Sequence, residues 1–211
     1  MLIKICGFKD VPTAIAAAEA GADMIGLNFY PPSPRFVDVS AAVRICSALP
    51  AGVMKVGLFV NENACGLDAV QPERIRETAG ACGLDAVQLH GDFPTERLPE
   101  LAPLKIIRAF AICMEDDLRK LEGVKADFIL LDTAVKGLHG GTGKSFDWRL
   151  AAQARRYGYR IILAGGLNPG NVREAIRQAN PDGIDVASGV ESSPGVKDIT
   201  LIRQFIEAAR T

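Results

Sequence analysis

Residues 160–188 read RIILAGGLNPGNVREAIRQANPDGIDVAS. RIILAG (160–165) and GIDVAS (183–188) are short, nearly continuous apolar runs, the pattern of parallel strands covered on both faces. Between them NPGNVREAIRQAN (168–180) has a helical apolar period and asparagines placed to cap it. The stretch predicts strand, crossover helix, strand. Outward from it the same alternation fills the chain. LIKIC (2–6), DMIGLN (23–28), MKVGLFV (54–60), DAVQLH (85–90), KIIRAF (105–110) and DFILLD (127–132) bring the predicted strands to eight. Amphipathic stretches separate them. VPTAIAAAEAGA (11–22) has Pro near its start and Gly at its end, and SAAVRICSAL (40–49) opens on Ser40 as a cap. DITLIRQFIEAAR (198–210) closes the chain as a final amphipathic helix.

Right-handed crossovers between parallel strands allow an open doubly wound sheet or a closed barrel. The regular count, with no Gly-rich dinucleotide turn after the first strand, favours an α/β fold of the single-domain (β/α)8 TIM-barrel type. No linker-like tract divides residues 1–211, so one domain is expected. A chain of 211 residues, 48% hydrophobic, can bury its core without disulfides or metals. The formal net charge of −1 argues against nucleic-acid or polybasic membrane partners. No run approaches the roughly 18 apolar residues of a membrane span, and the first is too brief for a signal peptide. A cytoplasmic protein is expected. Five cysteines (6, 46, 65, 82, 113), without a CxxC pair, predict reduced thiols and no zinc site.

The octapeptide ACGLDAVQ occurs at 64–71 and again at 81–88. The second copy leads into a predicted strand. The first falls where a strand-to-helix loop belongs, and reads as a local duplication that lengthens the third βα loop. As a surface insertion it would cost little; the sharper reading has it extending a helix or folding over the site.

In such a barrel, reactive side chains stand at the C-terminal ends of the strands. Cys6 ends the first strand and Asp132 the sixth. A thiol beside Gly7 can approach a substrate closely, and local positive charge would lower its pKa toward that of a usable base. The apolar run before Asp132 would favour its protonated form, so the two make an acid–base pair. AGGLNPGNV and DVASGVE place Gly165, Gly166, Ser188 and Gly189 after strands seven and eight, a backbone cradle suited to phosphate. GGTGKS (140–145) fails as a P-loop because position 138 is Leu. Arg35, in YPPSPRF, reads as an exposed planar fork for a carboxylate. His90 is a secondary candidate for orienting the acid or binding substrate.

Taken in order, KICG (4–7), GLNFYPPSPR (26–35), VGLFVN (56–61), VQLHG (87–91), LLDT (130–133), GGTGKSFDW (140–148), AGGLNPGNV (164–172) and DVASGVE (185–191) resemble the motifs of the phosphoribosylanthranilate isomerases of tryptophan biosynthesis. The resemblance spans essentially the whole chain; its main departure is the first ACGLDAVQ copy. It implies an Amadori rearrangement of N-(5-phosphoribosyl)anthranilate, with Asp132 as acid and Cys6 as base. Arg35 would hold the anthranilate carboxylate, and Gly165, Gly166, Ser188 and Gly189 the phosphate. Gln88 and His90 fall in a substrate-binding motif, and Asp185 matches a carboxylate near the substrate. No metal or organic cofactor is implied, because the substrate nitrogen serves as electron sink. The only partner expected is the small phosphoribosyl substrate, and a monomer or homodimer is expected. Two rivals remain: the histidine-pathway isomerase barrel, expected to end its first strand in Asp rather than Cys6, and a catalytically impaired phosphosugar-binding barrel.

Overall fold

A computed structural model describes residues 1–61, 71–132 and 148–211. Eight parallel strands close into a barrel in chain order: β1 (Leu2–Cys6), β2 (Met24–Asn28), β3 (Met54–Asn61), β4 (Ala86–Gly91), β5 (Lys105–Ala111), β6 (Phe128–Asp132), β7 (Ile161–Ala164) and β8 (Gly183–Val186). Closure comes from β8 pairing with β1, with Lys4 opposite Asp185. The eight predicted strands are these eight, within a residue or two at each end. A short antiparallel hairpin, β9 (Glu191–Ser193) with β10 (Val196–Lys197), follows the barrel.

Alternation along each strand divides the apolar residues between two faces. Met24, Val56, Ala86, Ile107, Phe128 and Ile162 fill the barrel interior. Ile3, Ile5, Ile25, Leu27, Leu131 and Leu163 belong to a second cluster, packed with residues of the surrounding helices. The helices are α1 (Val11–Glu19), α2 (Val39–Ala48), α3 (Pro72–Cys82), α4 (Arg149–Ala154), α5 (Val172–Ala179) and α6 (Ile199–Arg210). Between β4 and β5, and between β5 and β6, the connections are 3-10 segments, Thr95–Leu101 and Glu115–Leu121. Pro99 lies inside the first and has no N–H for an α-helical bond.

Caps differ from expectation in two places. Asp38, not Ser40, caps α2: its carboxylate accepts the Ala41 N–H at 2.7 Å, and Ser40 sits in the first turn, accepting from Arg44. Asn171 precedes α5, but its side-chain oxygen accepts the Asn168 N–H at 2.8 Å, so it braces the loop rather than the helix. Asn180 closes α5 in the left-handed conformation, φ 43°. At the barrel's N-terminal end one device recurs. Asp23, Asp85, Asp127 and Asp182 each stand one residue before an even-numbered strand, and each accepts a backbone N–H from the strand before it.

Of the duplicated octapeptides, residues 81–88 end α3, form the turn and enter β4, with Gly83 left-handed at φ 62°. In the other copy only Gln71 lies within the described residues, immediately before Pro72 of α3. The GGTGKS segment lies outside the described residues.

Candidate active site

Toward the C-terminal end of the barrel the inward positions change from apolar to polar. β1 contributes Lys4 and Cys6, β2 Asn28, β4 Gln88 and His90, β6 Asp132 and β8 Asp185. Above them opens a cavity of about 240 Å³ lined by Cys6, Asn28, Arg35, Gln88, His90, Asp132, Gly165, Gly166, Asp185 and Ser188, with Leu58, Leu130, Ala164, Leu167, Val186 and Ala187 as apolar wall. Nine of the ten residues singled out from sequence therefore meet at one mouth. The exception is Gly189. A Cβ there would sit 1.9 Å from the Leu167 carbonyl oxygen, so this glycine lets the loops after β7 and β8 touch.

Two further glycines shape the mouth. At Gly26 a Cβ would lie 2.8 Å from the Cys6 sulfur, so the bare backbone of β2 makes room for the thiol. Gly7 has φ 90°, and a Cβ on it would lie 2.6 Å from Arg35 Cδ. The space that Gly7 leaves is thus taken by the stem of Arg35, which crosses the end of β1.

Arg35 corrects the expectation of a free surface fork. Its Nε and Nη2 donate to the two carboxylate oxygens of Glu191 at 2.8 and 2.7 Å. Glu191 also accepts from Lys197 Nζ at 2.8 Å and from the Gly195 N–H at 3.2 Å. Burial works to raise the Glu191 pKa, but these hydrogen bonds outweigh it and hold the carboxyl below its usual range. The pairing fixes the plane of the guanidinium at the rim, and its side chain keeps 23% exposure.

The charge beneath Cys6 was not singled out from sequence. Lys4 Nζ lies 3.0 Å from both carboxylate oxygens of Asp185, with 1% and 9% side-chain exposure. Burial would lower the Lys4 pKa, yet Asp185 and Cys6 together outweigh it and hold the ammonium above its usual range. Cys6 corrects a second expectation: burial pushes its thiol up, and the opposing pull of Lys4 and Lys197 does not reverse that. Burial, aided by Lys4, depresses His90 to about 4, so its ring is neutral near pH 7. Gln88 Nε2 and His90 Nε2 are 2.5 Å apart; with the ring neutral, the amide donates and the ring proton sits on Nδ1. Among the described residues, Gln88 Oε1 is buried with no hydrogen-bond partner.

Sequence reasoning thus missed Lys4, Asn28, Glu191 and Lys197. Lys4 carried a usable signal, since it shares the inward face of an apolar strand with Cys6, two residues away. Glu191 ends the DVASGVE motif. Asn28 and Lys197 gave no comparable signal: Asn28 holds the following loop by accepting the Tyr30 N–H at 2.8 Å and donating to Ser33 at 3.1 Å.

Chemically, the mouth offers a thiol and a carboxyl opening into one cavity, a clamped guanidinium on its rim, and Gly165, Gly166 and Ser188 from the loops after β7 and β8, the strands between β6 and β1. Gly165 and Gly166 have φ 92° and 65°, a backbone shape that glycine adopts without strain. The sequence profile of the family described as N-(5'phosphoribosyl)anthranilate (PRA) isomerase matches residues 3–208. An N-(5'-phosphoribosyl)anthranilate isomerase of Trichlorobacter lovleyi is 42% identical over 208 residues, covering 99% of this chain and 97% of the relative. The crystal structure of phosphoribosyl anthranilate isomerase from Thermotoga maritima superposes with a TM-score of 0.88 at 41% identity, covering 100% of this chain and 98% of that one. A crystal structure of the isomerase in complex with reduced 1-(o-carboxyphenylamino)-1-deoxyribulose 5-phosphate gives a TM-score of 0.86 at 39% identity, covering 100% and 98%. The barrel, its mouth and these matches place the chain in the N-(5'-phosphoribosyl)anthranilate isomerase family.

Proposed function

We propose that this mouth carries out the Amadori rearrangement of N-(5-phosphoribosyl)anthranilate to 1-(2-carboxyphenylamino)-1-deoxyribulose 5-phosphate, using Cys6 and Asp132. Asp132 protonates the ribose ring oxygen, and the ring opens to a Schiff base on the anthranilate nitrogen. The Cys6 thiolate then takes the C2 proton, and the electron pair moves through the C1–C2 bond onto that nitrogen. The resulting enolamine tautomerises to the ketone. The observation that carries the reading is that Cys6 and Asp132 open into the same cavity as Gly165 and Gly166 after β7 and Ser188 after β8.

The other assignments follow from position. Arg35, held in plane by Glu191, takes the anthranilate carboxylate. Gly165, Gly166 and Ser188 cradle the phosphate, while Gly189 serves by bringing the two loops together. A neutral His90, held by Gln88, presents an uncharged ring to the substrate. Residues 64–71 are an insertion in the third βα connection, because β3 ends at Asn61, α3 begins at Pro72 and the second copy already supplies the turn into β4.

The direct test is turnover of freshly generated phosphoribosylanthranilate, followed by loss of its fluorescence, for the protein and Cys6→Ser side by side. Loss well above the spontaneous rate, abolished in the variant, is expected, because a hydroxyl is a far poorer base at neutral pH. Turnover unaffected by Cys6→Ser would remove the thiol from the mechanism. Activity on the histidine-pathway aminoaldose instead would move the substrate assignment to that relative.

A further inference from the structure

A buried thiol is a poor base unless something offsets the cost of its charged form. We propose that Lys4 is a positioning residue for the base, its ammonium pinned beneath Cys6 by Asp185 so that the Cys6 thiolate can form inside the barrel. Lys4 and Cys6 project from the same face of β1, two residues apart, and the ammonium is close enough to interact directly with the sulfur. The partner across the sheet register is Asp185, whose two oxygens both lie 3.0 Å from Nζ. At 1% exposure, solvent screens this charge little.

The groups around Cys6 show why Lys4 carries this role. Asp185 on β8 opposes the thiolate, and Asp132 on β6 opens into the same cavity. His90 on β4 is neutral. Lys197 on β10 also favours the thiolate, but its ammonium is spent on Glu191 at 2.8 Å and on the Ala187 carbonyl at 2.9 Å. Arg35 is clamped to the same Glu191. Of the two lysines, Lys4 acts more strongly on the thiol, and more strongly than its own partner Asp185 opposes it. The Lys4–Asp185 pair is therefore not electrostatically silent at the sulfur. Asp185 fixes the ammonium, and the ammonium supports the thiolate.

This inference rests on the reading of Cys6 as base, and its deciding readout is independent of turnover. The probe is the pH dependence of Cys6 alkylation by iodoacetamide, read by peptide mass so that the other cysteines do not contribute. In Lys4→Met the alkylation midpoint should rise by about one pH unit, a roughly tenfold slower reaction below the midpoint. The pH profile of kcat should move with it, while KM stays nearly constant. Lys4→Met strands the Asp185 carboxylate in the interior, so Lys4→Met/Asp185→Asn, which removes both charges, keeps the test readable if the single variant misfolds. The double variant should still show the higher midpoint. An unchanged midpoint in a folded variant, even with a depressed kcat, would reduce Lys4 to a packing role and overturn the proposal. Normal turnover by Cys6→Ser would overturn the base assignment and leave the alkylation shift standing.

Discussion

The two ends of the barrel use the same side chain for different ends. At the N-terminal end, Asp23, Asp85, Asp127 and Asp182 accept the backbone N–H of Ile3, Lys55, Ile106 and Ile161 at 2.7, 2.8, 2.7 and 2.8 Å. Each aspartate returns its own N–H to the carbonyl of the same residue at 2.9 Å, so every pair closes a small reciprocal ring. These rings join β1 to β2, β3 to β4, β5 to β6 and β7 to β8, a fourfold repeat of a two-strand unit. At the C-terminal end, Asp132 and Asp185 face a cavity, beside a thiol and a buried ammonium. The difference is one of partners. A carboxylate in a closed ring with main-chain groups satisfies a strand start and is fixed in its role. A carboxyl facing a cavity can change protonation state when a substrate arrives.

The sharpest way to break this contrast is Asp132→Asn. The amide keeps the shape but cannot donate the proton that the proposed ring opening requires. Turnover should fall by a factor on the order of 10²–10⁴, with thermal stability and product-analogue binding close to those of the parent. Near-normal turnover would make Asp132 a structural carboxylate like those at the opposite end, and the two ends would no longer differ in kind.

How far the sequence revealed each end follows from the same physics. The strands were legible because parallel strands covered on both faces must be nearly continuously apolar, as MIGLN of β2 is, buried throughout. Cys6 and Asp132 were legible because a polar residue closing such a run lies at the strand mouth. Lys4 was passed over although it sits mid-run, where a lysine is costly to bury unless paired, and its partner lies 181 residues away across the barrel closure. The Arg35–Glu191 clamp was hidden for the same reason, a separation of 156 residues. The direction of the Cys6 shift was misread because spacing gives neighbouring charge but not depth, and depth decides here. The four clamping aspartates stood in plain view one residue before alternate strands, but each looks like an ordinary turn former until the partner N–H is seen.

A change in pH should also distinguish the two ends. His90, at the mouth, titrates at about 4 when folded, against an ordinary value of 6.5. A base held below its unfolded value adds stability that is complete above about pH 6.5 and drains away as pH falls toward 4. Between pH 7 and pH 5 the loss from this one ring is about 2 kcal/mol. His90→Gln should therefore narrow the gap between urea midpoints measured at the two pH values. A gap as wide in the variant as in the parent would place the acid sensitivity away from the mouth.

The smallest effect belongs to the quiet end. Asp127→Ala removes the acceptor of the Ile106 N–H at the start of β5 while leaving the backbone bond from Asp127 to Ile106 available. The loss should be about 1 kcal/mol of stability, since one hydrogen bond goes and water can reach the exposed edge of the strand start. Asp127→Asn, which keeps an acceptor oxygen, should recover more than half of it. Both variants should turn over at the parental rate once folded, because the ring lies at the opposite end of the barrel from the cavity. The measurement is a urea titration beside a turnover assay on the same preparations. A fall in kcat with little change in midpoint would mean that the clamp sets the register on which Cys6 and Asp132 depend. Stability and chemistry would then share the barrel's whole length instead of dividing it between its ends.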